Sequence, residues 1–383
     1  MSQRPADLTR SAREAARGGF SMPMTIRTER LVMEALGGHH AAGFLSLWDD
    51  PDSMRFLGGA LDAPQAWARL ARFAGQWSLH GFGHYALLTR SGEFQGYAGL
   101  WFPHGWPEIE VGYALHPAGH GRGYASEAVR AIRAVASQRG VPSLVSYIDP
   151  RNVASQRVAE AAGAQADGSV ELRRSMAEIW RYPVDPSAEA AEVDASADVL
   201  WEASAMPLEI RTPRLRLTQW RLEHFDRFAA HAADPVSMRF TGGAMDAEEA
   251  WRDMAAAAGQ WALRGYGVYA VEADGVVIGG VGLLHPFGWP ERELAWSLAA
   301  DARGRGYATE AARAVRAVAA VQGASRLVSL VHADNVASRR VAERLGAWPG
   351  GTAELFGEPV TVFVHPMDLD EAASAEDALL APV

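Results

Sequence analysis

Two glutamates and a run of glycines are the residues of this chain best able to do chemistry. Glu110 stands eleven residues ahead of Gly121 in the stretch that ends His116-Pro117-Ala118-Gly119-His120-Gly121-Arg122-Gly123-Tyr124-Ala125-Ser126-Glu127. Glu293 stands eleven ahead of Gly304 in a second version of it, Ala299 through Glu310. Both stretches read as a strand end running through a turn into a helix. Glycine lacks Cβ, so backbone N–H groups can converge at the helix N-terminus, a geometry that binds phosphate oxygens. Arg122 and Arg305 add charge there, and the turn suits a pyrophosphate. The alternative is a tight strand–helix turn with no ligand.

Other phosphate sites fail on composition. All 36 basic residues are Arg, so a Walker lysine and a Schiff base are excluded. A Rossmann fingerprint would need Gly or Ala where Ser126 and Thr309 stand. With no cysteine there is no thiol nucleophile, iron–sulfur cluster or Cys-ligated zinc. Among His39, His40, His104, His116 and His120 there is no HExxH or comparable ligand spacing, and only His116 and His120 of these lie four apart, so no metal is expected.

The elements that must position these groups are written twice. Ser53 to Trp67 (SMRFLGGALDAPQAW) recurs as Ser237 to Trp251 (SMRFTGGAMDAEEAW), and GRGYASEA at 121–128 recurs as GRGYATEA at 304–311. The offset is 184 at Met54/Met238 and 183 at Gly121/Gly304. The single deletion falls at Ser91-Gly92 and Asp274-Gly275, which read as hairpin turns, where insertions and deletions belong. Each copy predicts an alternating strand (Ile26–Leu31; Ile210–Leu215) and helices over 40–50 and 62–79. Strands near 83–89, 94–102 and 108–115 follow, then a helix over 122–138, a strand at 144–148, a helix at 152–162 and two short strands. This is an α+β fold: two tandem domains, each a mixed, mostly antiparallel sheet with helices on its faces. The expected bounds are an extension at 1–21, domains at 22–184 and 206–369, a linker at 185–205 and a tail at 370–383.

The net charge of −10 sits in two stretches without Arg, Asp185, Glu189, Glu192, Asp194, Asp198 and Glu202 at 185–202 and Asp368, Asp370, Glu371, Glu376 and Asp377 at 368–377. Without them acids and bases nearly balance, so charge gives no case for nucleic acid. No apolar run approaches the ~18 residues of a membrane span, and no secretory h-region stands near the start. The expectation is a cytoplasmic protein without a membrane partner.

The ordered set of Ile-Arg-Thr-x-Arg-Leu, Glu-Val-Gly-Tyr (110–113), Gly-Arg-Gly-Tyr-Ala-Ser/Thr-Glu-Ala and Asn-Val-Ala-Ser-x-Arg-Val-Ala-Glu-x-x-Gly-Ala (152–164, 335–347) resembles the GNAT acyltransferases, in particular their RimJ/RimL-like branch. The resemblance covers most of each copy. It implies an acetyl-CoA-dependent N-acetyltransferase acting on a small-molecule or N-terminal amine, with one copy a silent acyl-CoA-binding or scaffolding domain as the alternative. By resemblance, the coenzyme A pyrophosphate is cradled by Gly119, His120, Gly121, Arg122, Gly123, Tyr124 and Ala125, and by Arg303, Gly304, Arg305, Gly306, Tyr307 and Ala308. Asn152 and Asn335 join the cofactor set.

By the same resemblance Glu110 and Glu293 reach the amine directly or through water, against the alternative of solvated or Arg-paired strand carboxylates. Glu108 and Glu291, two residues earlier, share their face on an alternating strand and, with Trp106 and Trp289, are expected at the acceptor. Two positions depart from the family: Ala118 and Asp301 replace a Gln or Arg, and Ala159 and Ala342 replace the Tyr that protonates the departing thiolate. Ser155 and Ser338 are the remaining donors, with helix capping as the other reading. Trp67/Trp251 and Trp77/Trp261 read as core. The fused copies could stand in for homodimer contacts.

Overall fold

The computed structural model describes residues 20–172, 175–184, 192–194, 206–289 and 291–367. Most of the extension, the tail and most of the linker fall outside them. The chain divides into two compact units, Met1–Glu202 and Ala203–Val383.

In the first unit, β1 (Thr25–Arg27) and β2 (Leu31–Ala35) precede α1 (Ala41–Trp48), α2 (Pro51–Met54) and α3 (Ala63–His80). Then come β3 (His84–Thr89), β4 (Phe94–Trp101), β5 (Glu110–Leu115), α4 (Tyr124–Gln138), β6 (Leu144–Ile148), α5 (Val153–Ala161), β7 (Gln165–Leu172), β8 (Ser175–Tyr182) and β9 (Glu192–Asp194). The second unit repeats the plan: β10 (Glu209–Arg211), β11 (Arg216–Thr218), α6 (Phe225–Ala232), α7 (Ala247–Arg264), β12 (Val268–Ala273), β13 (Val276–Leu284) and β14 (Glu293–Leu298). It closes with α8 (Tyr307–Val321), β15 (Val328–His332), α9 (Val336–Arg344), β16 (Trp348–Leu355) and β17 (Glu358–Val364).

Local chemistry explains the boundaries. Asp62 caps α3, its side chain accepting from Gln65 N–H while Gln65 returns a bond, and Gly81 ends the helix in the left-handed region at φ 73°. Asp246, Glu249 and Gly265 do the same for α7. The strand order is β7-β8-β6-β5-β4-β3-β2-β1-β9 in one sheet and β10-β11-β12-β13-β14-β15-β17-β16 in the other. Among the described residues only β5/β6 and β14/β15 run parallel, because α4 and α8 carry the chain across between them. Helix α4 buries Val129, Ile132 and Val135 in the core that also holds Leu100 and Val111. Phe44 of α1 and Phe73 of α3 pack with Tyr97 of β4, and Phe73 stacks on His84 of β3.

Three expectations need correction. The opening strand at 26–31 is a hairpin: Thr28 N–H bonds the Leu31 carbonyl at 3.0 Å, folding Thr28–Arg30 into a turn. The closing strands β7, β8 and β16 are eight residues each, not short. And the segment expected as linker contributes β9, which pairs antiparallel with β1, since the outer edge of β1 offers unpaired backbone groups.

Candidate active site

Strands β5 and β6 touch at one point and part. Their single register pair is Glu110 with Val145, next to Val145 N–H on the Ile109 carbonyl at 3.1 Å. One residue on, the ladder is already replaced by a side chain: Ser146 Oγ donates to the Val111 carbonyl at 2.6 Å and shares a 2.9 Å bond with Tyr182 Oη. Tyr113 then reaches across the gap, its hydroxyl donating to the Ser155 carbonyl of α5 at 2.8 Å. The second unit is built alike. Glu293 pairs with Val328, Ser329 donates to the Leu294 carbonyl at 2.6 Å, and His365 Nε2 lies 2.8 Å from Ser329 Oγ. Trp296 spans the gap, its indole N–H 3.2 Å from Ser338 Oγ.

The two glutamates stand where the strands part, in different surroundings. Trp106 Nε1 donates to Glu110 Oε2 at 2.8 Å, and the Trp106 ring meets Tyr147 edge-on at 6.4 Å. Glu293 is 7% exposed and accepts from Leu330 N–H at 3.3 Å. Burial pushes its carboxyl up to about 7, with that backbone bond acting the other way. Burial also pushes Tyr182 up to about 12 and raises Tyr113 and Tyr147, so these phenols stay protonated near neutral pH and do not act as bases there.

Glu108 does not join Glu110. It precedes β5, so strand alternation does not carry it to the same face. Its buried carboxylate takes a fork from Arg181 (2.7 and 3.0 Å) and the Ser143 hydroxyl at 2.6 Å. Glu291 pairs with Arg326, the counterpart of Ser143. Both are held by structural partners rather than aimed at an acceptor.

At the other end of β5, the turn has the shape the glycines announce. Gly121 and Gly123 sit at φ 70° and 74°, Gly304 and Gly306 at 75° and 82°. These are conformations that residues with Cβ seldom adopt. A Cβ on Gly121 or Gly304 would meet no atom within 4 Å, so the backbone there faces open space. The first helical bond of α4 runs from Glu127 N–H to the Gly123 carbonyl at 3.1 Å, leaving the preceding N–H groups without intrahelical acceptors. Arg122 and Arg305 are exposed beside them. Glycine-shaped open backbone, free donors and a cation fit a pyrophosphate. Not every expected residue faces outward. Gly119 packs against Gln95, and Ala302 takes its place in the second unit. Ala125 is buried, and His120 and Arg303 bond back to the strand-end carbonyls of Leu115 and Leu298.

The sequence profile of the acetyltransferase (GNAT) domain matches residues 30–165 and again 214–347. The chain belongs to the GNAT acetyltransferase family. Its reaction class is acyl transfer. Among solved structures it is similar to an acetyltransferase from Agrobacterium tumefaciens, 32% identical over 43% of this chain and 96% of that one, at a TM-score of 0.40. A GNAT-family acetyltransferase from Bordetella pertussis is 28% identical over 42% and 99%, at 0.37. The RimL ribosomal L7/L12 alpha-N-protein acetyltransferase, solved with coenzyme A, is 15% identical over 43% and 99%, at 0.38.

In both GNAT units the asparagine is the helix cap. Asn152 Oδ1 accepts from Ser155 N–H at 3.2 Å, and Asn335 Oδ1 from Ser338 N–H at 3.1 Å. The serine hydroxyls are therefore not the caps, and the Asn side chains are committed to one. Trp77, Trp251 and Trp261 are core, whereas Trp67 is half-buried.

The units differ most on the face carrying α1 and α3. Where the first has Trp48, Phe73, His84 and Tyr97, the second has Ala232, Ala257, Val268 and Gly280, and Trp220 moves in against Gly280. Glu34, His39 and His40 also converge, with both Nε2 atoms 3.4 Å from Glu34 Oε2. Gly37 N–H donates to His40 Nδ1 at 3.1 Å, so the proton of this neutral ring is on Nε2. That leaves no Nε2 lone pair for a metal, and burial, then His39, hold His40 down to about 4. Reasoning from sequence missed Ser146, Tyr113, Tyr147 and Tyr182. Ser146 and Ser329 recur at the repeat offset, a signal that was there to be used.

Proposed function

We propose that each unit transfers an acetyl group from acetyl-CoA to a primary amine, on a small molecule or a protein N-terminus, by direct attack on the thioester. The observation that carries this reading is one strand with a carboxylate at its start and a phosphate-shaped turn past its end. Five steps of ~3.3 Å separate Glu110 from Leu115, roughly 16 Å, a span an extended pantetheine arm covers. The parted edge of β5 leaves backbone groups to which the amides of that arm can bond as a strand would. Acetyl-CoA supplies an activated acyl carbonyl.

The chain's own residues do the rest. The Gly121–Tyr124 and Gly304–Tyr307 turns hold the pyrophosphate. Glu110 and Glu293 accept the amine proton, directly or through water. An α-amine near pKa 8 costs only about 1 kcal/mol to deprotonate at pH 7, against about 4.6 kcal/mol for a lysine-type amine, so modest bases favour the former. Ser155 and Ser338 offer a proton to the leaving sulfur; for Ser338, Trp296 occupies an Oγ lone pair and leaves the O–H to donate.

The contrast between the α1/α3 faces favours a second reading, in which the units take different acceptors or one binds acyl-CoA without turnover. Screening amines with acetyl-CoA and reading thiol release tests both. Release with α-amines supports transfer. Release that is abolished by Glu110→Gln alone or by Glu293→Gln alone, with coenzyme A still bound at both units, supports the silent reading of the other unit.

A further inference from the structure

The hairpin that replaced the expected opening strand points straight at the phosphate turn. Thr28 Oγ1 donates to Glu127 Oε1 at 2.6 Å, and Arg30 N–H donates to the same oxygen at 2.9 Å. Arg30 Nε lies 2.6 Å from Glu127 Oε2, and its NH1 donates to the Arg122 carbonyl at 2.8 Å. The guanidinium lies over the Tyr124 ring, 5.1 Å from its centre. The second unit repeats every link. Thr212 is 2.6 Å from Glu310, Arg214 N–H and Nε are 3.1 and 2.7 Å from it, and NH1 is 2.9 Å from the Arg305 carbonyl. Arg214 lies 4.7 Å from the centre of the Tyr307 ring.

We propose that Arg30 and Arg214 are positioning residues for the donor pyrophosphate, each locking one peptide plane of the turn and neutralising the glutamate beneath it. The inference rests on the acetyl-CoA reading above.

The peptide group is planar and trans, so its C=O and N–H point in opposite directions. Pinning the Arg122 carbonyl toward Arg30 therefore aims the Gly123 N–H away from Arg30. The plane needs pinning because Gly123, at φ 74° on one side of it, has no Cβ to resist a flip. Charge gives the second reason. Glu127 lies in the first turn of α4, where its carboxylate favours the helix but repels an anion arriving at the same N-terminus. Arg30 cancels that charge without occupying the outer face. Burial raises the Glu127 carboxyl, but the bonds from Thr28 and Arg30 outweigh it and hold the group ionised. Arginine is required because one planar fork must serve both a carboxylate and a carbonyl; lysine offers a point charge that cannot span them.

The test compares two probes, coenzyme A and pantetheine, which shares its arm and lacks the pyrophosphate. Dissociation constants are measured on the full chain and on Arg30→Lys with Arg214→Lys, by calorimetry for coenzyme A and by NMR line broadening for pantetheine. The expected result is a ~10-fold or larger loss for coenzyme A, with pantetheine and the melting temperature unchanged. Equal losses for both probes, or no loss for coenzyme A, overturn the proposal. If the Lys pair fails to fold, Thr28→Val with Thr212→Val removes one bond to each glutamate. The same selectivity at smaller size is then expected, and an unselective loss overturns it. If the parent chain itself binds coenzyme A no better than pantetheine, the acetyl-CoA reading fails, whatever the variants do.

Discussion

Trp106 holds Glu110 by a 2.8 Å bond from the indole N–H to the carboxylate, while Glu293 accepts from a backbone N–H. A hydrogen bond to a charged group contributes about 1.5–3 kcal/mol when buried, and half-burial brings this to about 1–2 kcal/mol. Trp106→Phe keeps the ring against Tyr147 and removes the donor. Measured in a Glu293→Gln background, kcat/KM of the first unit should fall roughly 5- to 30-fold. A parent rate would show that the indole only packs.

Replacing both glutamates, Glu110→Gln with Glu293→Gln, should lower turnover by roughly 100- to 10,000-fold while coenzyme A binds as before. The deficit should shrink as pH rises and free amine accumulates. Unchanged kinetics would return both residues to strand carboxylates.

The buried carboxyl of Glu293 makes stability pH-dependent. Its folded pKa of about 7 lies above the ordinary 4.5, so the folded chain binds the proton more tightly. Stability from this group is intact below about 4.5, falls as pH rises to about 7, and is flat above. The loss is at most about 3 kcal/mol. Glu293→Gln cannot ionise, so it should melt above the parent at pH 8 and close to it at pH 5. Melting curves whose separation does not grow between those pH values would contradict this placement.

Since Asn152 and Asn335 do the capping, serine and asparagine can be separated. Ser155→Ala with Ser338→Ala should leave the melting temperature nearly unchanged and slow single-turnover acyl transfer ~10- to 100-fold. Asn152→Ala should cost about 1 kcal/mol of stability. Serine variants that react at the parent rate would leave the proton to water.

Two matching turns imply two binding sites. Calorimetry with coenzyme A should give a stoichiometry near two, and Gly121→Glu should bring it near one. The new side chain's Cβ meets no atom within 4 Å in the free protein, but the residue strains the backbone at φ 70° and projects into the space the anion needs. A single site in the parent would end the symmetric reading.

The sequence by itself determined the duplication, most of the element types, the glycine turn between strand and helix, and the family. Each is a local signal: repeat offset, alternation, glycine spacing and cap residues such as Asp62 and Asn152 are contiguous in the chain. It misplaced what depends on residues far apart. Thr28–Arg30 continues an alternating pattern and reads as strand, yet it turns where Glu127, some hundred residues on, accepts from the Thr28 hydroxyl, Arg30 N–H and Arg30 Nε. Glu108 and Glu110 look equivalent by alternation until Arg181 and Ser143 claim one and Trp106 the other. The parting of β5 and β6 has no sequence signature either. It exists because Ser146, Tyr182 and Tyr113 prop open strands that backbone pairing alone would close. Tertiary structure decided these points because hydrogen bonds to distant partners, rather than local propensity, fix where each side chain ends.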